Sequence, residues 1–215
     1  ATGDSTAGDS GVIAVKTGSS LSSSAGELVI SAGESGSSGA GSAVRLKAGK
    51  SSMGSGGSIT ISGGHSLASS SSAGGNVTIA AGSSRSGQGG ALTLKSGAAA
   101  NQASGGLIVA SGLSMQDSGL ISARTGSSAA GSSGSIHMTS GDAQTMSGGI
   151  LVRAVTGAVS GGDVKVRAGN ADSTGGRGGS VSLRSGYGIS GSGEIIISSM
   201  DSNLGSGSLV MRTGS

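Results

Sequence analysis

The chain has 215 residues, of which 47 are Gly and 51 are Ser, with no Pro, Cys, Trp or Phe and a single aromatic, Tyr187. Ordinary domains of this length fill their interior with large aromatics, so a thick core is excluded, and anything buried must be thin and built from Val, Ile, Leu, Met and Ala. The net charge of +3 arises from singly spread basic residues, no apolar run reaches ten residues, and no thiol is present; a nucleic-acid footprint, a transmembrane helix, and disulfides or thiolate metal sites are thereby excluded.

High Gly and Ser without a period argues for disorder, so the decisive question is periodicity. From the N-terminus one template recurs: an apolar residue, any residue, a second apolar residue, two more residues, and a closing Gly. The first copies close at Gly18, Gly33, Gly49, Gly64, Gly82 and Gly97. The later ones close at Gly112, Gly126, Gly141, Gly157, Gly169, Gly186, Met200 and Gly214. That makes 14 units with a step of about 15 residues.

Clear copies are Val44-Arg45-Leu46-Lys47-Ala48-Gly49 and Val77-Thr78-Ile79-Ala80-Ala81-Gly82. Apolar residues two apart are the signature of a strand, and Val and Ile suit it. Helices are disfavoured, because each interior Gly costs about 1 kcal/mol against Ala. The second residue after a closing position is nearly always small, as at Ser20, Ser35, Ser51, Ser66, Ser84, Ala99, Ser114, Ser128 and Ala143, which predicts a sharp packed corner.

Two apolar side chains per unit cannot offset the ordering of 15 residues, so units must stack. The predicted fold is all-β: a parallel β-solenoid of 14 strand-turn units forming one repeat array over residues 1–215. The residue after the second apolar position is basic at Lys16, Lys47, Lys95, Arg124, Arg153, Arg184 and Arg212 and uncharged at Ser31, Ser62, Ala110, Thr139 and Ser198. This partial alternation, broken by Arg167, favours two units per turn in two facing sheets, or about 30 residues per coil. The chain begins and ends within the pattern, without a signal peptide, so it is expected to be a mature or excised segment of something longer or stacked end to end.

The strings Gly56-Gly57-Ser58-Ile59-Thr60-Ile61-Ser62-Gly63 and Gly178-Gly179-Ser180-Val181-Ser182-Leu183-Arg184-Ser185-Gly186 resemble the Gly/Ser-rich tandem β-repeat extracellular proteins of algae, diatoms and oomycetes. The likeness runs the length of the chain at the level of the repeat. It implies an extracellular, wall-associated or filamentous protein and supplies no catalytic residues.

Several motifs invite a chemical reading. Gly8-Asp9-Ser10-Gly11 echoes the nucleophile segment of trypsin-like proteases, but chance in a Gly/Ser-rich chain accounts for it, and no His or Asp context accompanies it. Gly87-Gln88-Gly89-Gly90 has the composition of a phosphate loop without the helix that would follow one. His65 and His137 are the only histidines, and nothing pairs them with carboxylates. Gly175-Gly176-Arg177-Gly178-Gly179 lacks the Asp of a calcium-binding β-roll. No catalytic, cofactor-binding or metal-ligating residue is therefore expected. Thr60, Thr78 and Thr93 share one outward position and could begin an ice-binding ladder, which breaks at Ile108 and Ser122.

Asn76-Val77-Thr78 is an N-glycosylation sequon, and the turn hydroxyls could carry O-glycans. Five strands are apolar at three adjacent positions, which places Val29, Ile108, Leu151, Ile196 and Val210 as a packing or assembly surface for another chain or segment. The sequence thus predicts a non-enzymatic structural protein, extracellular or at the cell surface. It would form a filament, coat or stalk by self-association end to end or laterally, with glycans as further partners and no nucleic acid, membrane insertion or cofactor. An ice- or carbohydrate-binding solenoid module is one alternative; a disordered Gly/Ser-rich linker is the other.

Overall fold

The structure, a computed structural model, describes residues 2–36, 39–68, 72–203 and 205–213. The last closing position, Gly214, lies outside the described residues. Among those described there is no helix and no strand, and no residue is buried. The chain exposes 21630 Å² at a mass of 19.7 kDa. A compact protein of that mass exposes about 8,600 Å² and a fully unfolded chain about 28,600 Å².

The predicted β-solenoid is therefore overturned, and with it the two facing sheets, the fold-level resemblance to tandem β-repeat proteins, and the filament, coat or stalk built from stacked turns. The reason is visible at the apolar pairs. Ile195, the most shielded large aliphatic among the described residues, is still 45% exposed, and Met211 is 86% exposed. The burial that would offset the ordering of a Gly-rich backbone is not collected.

Local order is nonetheless regular. In sequence, eight-residue blocks alternate with loops. The blocks are 11–18, 26–33, 42–49, 57–64, 75–82, 90–97, 105–112, 119–126, 134–141, 148–155, 162–169, 179–186, 193–200 and 207–214. Apolar residues occupy the third position and, except at Ala123, a larger aliphatic occupies the fifth. All but one block open on Gly, the exception being Ser42.

At eight of the thirteen junctions between successive blocks a backbone hydrogen bond closes the loop. In the unit Ala1–Ile108, the N–H of Gly57 donates to the carbonyl of Gly49 at 2.9 Å, Gly75 to Gly64 at 2.8 Å, Gly90 to Gly82 at 2.9 Å, and Gly105 to Gly97 at 3.0 Å. Ser42 donates to Gly33 at 3.3 Å. In the unit Val109–Ser215, Gly162 donates to Val155 at 3.2 Å, and Gly179 to Gly169 and Gly193 to Gly186 each at 2.9 Å. Every bond joins the first position of one block to the last position of the block before it. The loops so closed hold 6 to 10 residues, so length variation is confined to them.

The acceptor at Val155 corrects the repeat. The unit expected to end at Gly157 ends two residues earlier, and Gly157 belongs to the loop. The two longest bonds are those in which one end is not Gly, namely Ser42 to Gly33 and Gly162 to Val155.

At several blocks, glycine at the first position is a matter of space. A Cβ on Gly57 would lie 3.2 Å from the Gly49 nitrogen and 3.3 Å from Ala48 Cβ. On Gly179 it would lie 3.3 Å from the Gly169 nitrogen and 3.4 Å from Ala168 Cβ. The seventh position, against which the next block presses, is small throughout, from Thr17 and Ala32 to Ser185 and Ser199. Among the described residues the half-buried ones are Ala32, Ala48, Gly63, Ser96, Ala154 and Gly188, and all but Gly188 occupy that seventh position.

In six loops the small residue two places after the block is a Ser that caps a turn, not a packed corner. Ser51 Oγ accepts the Gly54 N–H at 2.8 Å, Ser84 Oγ that of Gly87 at 2.9 Å, and Ser128 Oγ that of Gly131 at 3.0 Å. Ser20, Ser66 and Ser114 accept similarly from Ser23, Ala68 and Gln116. These are hydroxyl-stabilised turns of the kind Ser favours. The loop at 170–178 turns instead through a Gly176 N–H to Ser173 carbonyl bond of 2.9 Å, with Gly175 at φ 81°, which only Gly adopts freely.

The chain has no native Cys, so a dye pair placed at residues 46 and 61 reports loop closure without interference. Replacing Gly57 by Pro removes the donor N–H and is expected to widen the 46–61 distance distribution in single-molecule energy transfer. Ser42→Gly is expected to narrow the distribution of the equivalent pair at 30 and 46. Unchanged distances in both variants would refute the closing role of these bonds.

Candidate functional site

The described residues enclose no cavity and gather no group of three His, Asp or Glu side chains able to hold a metal ion. No helix among them is long and apolar enough to cross a membrane. Ser10 precedes the first block, is exposed, and has no hydrogen-bond partner among the described residues. His65 opens the loop 65–74 in the first unit, and His137 stands at the fourth position of block 134–141 in the second. Both are exposed.

Thr60, Thr78 and Thr93 share the fourth position of three successive blocks, as the sequence suggested. The flat sheet face that would make a ladder of them is missing among the described residues, so the ice-binding solenoid reading loses its scaffold. Val29, Ile108, Leu151, Ile196 and Val210 also occupy the fourth position and are exposed. Their neighbours are exposed too: Val210 is 59% and Leu209 58% accessible, so no inner face stands opposite an outer one there. Asn76 is the second residue of block 75–82, exposed, and directly follows the Gly75 donor of a loop-closing bond.

The block register reveals an order of charge that composition conceals. In the first unit Lys16, Lys47 and Lys95 stand at the sixth position of their blocks. In the second unit Arg124, Arg153, Arg167, Arg184 and Arg212 do the same. Two further cations, Arg45 and Lys165, take the fourth position, and only Lys50, Arg85 and Arg177 lie in loops. The six remaining sixth positions are Ser, Ala or Thr.

Acids follow the opposite rule. Glu27, Asp163 and Glu194 stand at the second position, and the other seven of the ten acids lie outside the blocks. Among the described residues the one ion pair joins Lys165 Nζ to Asp163 Oδ2 at 2.5 Å, both side chains largely exposed; such pairs contribute little. The sixth-position cations are exposed and without a carboxylate partner there. Sequence reasoning saw the basic residues as singly scattered and used them only to choose between one and two units per turn. That reading already had these eight at one position of the unit; what it missed was that the acids avoid the same stretch of the block. No family model, curated protein or solved structure matches the chain.

Proposed function

We propose that the chain is an extended Gly/Ser-rich spacer that separates or tethers what it connects. The observation that carries this reading is the absence of any buried residue among those described, with an exposed area of 21630 Å², about two and a half times that of a compact protein of this mass. A chain without a core has no fixed surface to present and no pocket in which to orient a substrate. Length and compliance are what it offers. Gly and Ser keep the loops adaptable, while the loop-closing bonds shorten the path by drawing successive blocks together at their ends. The mean hydropathy of +0.12 is carried by aliphatic pairs separated by polar loops, which avoids long continuous apolar runs.

Small-angle scattering and circular dichroism test this together. The expected radius of gyration lies toward about 50 Å, against about 17 Å for a compact domain of equal length. The far-ultraviolet spectrum is expected to have its minimum near that of coil, without a β band. A radius near the compact value with a β signal would sink the spacer reading.

The sequon belongs to the same reading. An exposed, extended Asn76-Val77-Thr78 is an open acceptor for a glycosyltransferase if the protein is routed through a secretory pathway, which is the extracellular setting we favour. Secreted from eukaryotic cells, the chain is expected to gain one N-glycan by intact mass. The gain should vanish in Asn76→Gln, and an unmodified secreted chain would argue against this site.

A further inference from the structure

We propose that the chain binds anionic polysaccharides through the sixth-position cations of its blocks. Of 13 Lys and Arg residues, eight stand at this one position, and none of the ten acids occupies any position from the third to the eighth. A spacer that needed charge only for solubility would have no reason to fix its register. Here each cation sits one residue past the fifth-position residue, and all but Arg212 are followed by a Ser-bearing loop. The charged heads are exposed and unpaired among the described residues, so no internal ion pair must be broken to engage an anion.

The chemistry of the partner follows from what surrounds the cations. They occur at most once per block, in eight of the 14 blocks, at steps of about one to three repeat units, which suits a long ligand carrying sulfate or carboxylate groups along its length. The Ser hydroxyls of the intervening loops offer hydrogen bonds to sugar hydroxyls. A nucleic acid fits less well. Tyr187 is the only aromatic available for base stacking, and duplex binding draws on clustered cations that neutralise closely spaced phosphates. Binding would be multivalent: each contact is weak, and the chain supplies many in series.

The test compares charge-matched variants of the full chain by titration calorimetry at low salt. The probes are dextran sulfate, unmodified dextran and a DNA duplex. The wild-type chain is expected to bind dextran sulfate, to ignore dextran, and to bind the duplex more weakly. Arg153→Ser, Arg167→Ser and Arg184→Ser combined are expected to weaken dextran sulfate binding about tenfold, from about twofold per exposed contact. Lys50→Ser, Arg85→Ser and Arg177→Ser combined remove the same charge from loops and are expected to weaken it less than about twofold. Equal losses in the two variants, a duplex bound as tightly as dextran sulfate, or no binding of dextran sulfate would each overturn the proposal. The readout is separate from chain dimensions, so a compact chain in scattering would refute the spacer reading and leave this one to stand or fall on binding.

Discussion

Order in this chain depends on one repeated contact: the N–H that opens a block reaching the carbonyl that closes the block before it. The contact requires two backbones to approach across a seventh-position residue, and a Cβ on the approaching residue would sit against that neighbour at the edge of van der Waals distance. Glycine at the first position and a small residue at the seventh are two halves of one steric condition. The bond is longer where Ser42 replaces the opening Gly, at 3.3 Å, and where Val155 replaces the closing Gly, at 3.2 Å. Because the bond closes loops of different length at a constant register, insertions in the loops leave the blocks untouched.

The same contact explains why order stops there. An exposed backbone hydrogen bond contributes about 0.5–1.5 kcal/mol net, and each junction shown has one. Fixing the backbone costs about 1–2 kcal/mol for every residue, and Gly loses more freedom than any other type. Each block brings only two apolar side chains to the third and fifth positions, and these stay largely exposed. A ladder of strands would have to recover its cost from aliphatic pairs spaced by loops, with no aromatic to enlarge the buried area.

Function follows from this economy. A chain that holds local register without a core keeps its side chains open along its length. Its distinctions are then distinctions of position within the block: cations at the sixth, acids at the second or in loops, hydroxyls capping the turns. Turn capping by Ser51, Ser84 and Ser128 shapes the loops without stiffening the whole chain. Repetition of a weak contact, not a single preorganised site, is the only means of specificity such a molecule has.

The amino-acid sequence by itself determined the repeat, the pair of aliphatic residues in each unit, the lack of material for a thick core, and the recurrence of a small residue after each unit. It could not show whether the units pair. Alternation of Val181 and Leu183 with Ser182 states which side would be buried if a sheet formed, and a sheet is a non-local outcome that the alternation does not guarantee. Tertiary structure decided three things. The blocks stay unpaired among the described residues, because burial does not offset ordering. The unit at 148–155 ends at Val155, because its carbonyl takes the closing bond in place of the nearby Gly157. The small residue after a block is often Ser because its hydroxyl caps a turn, a role that size alone does not reveal.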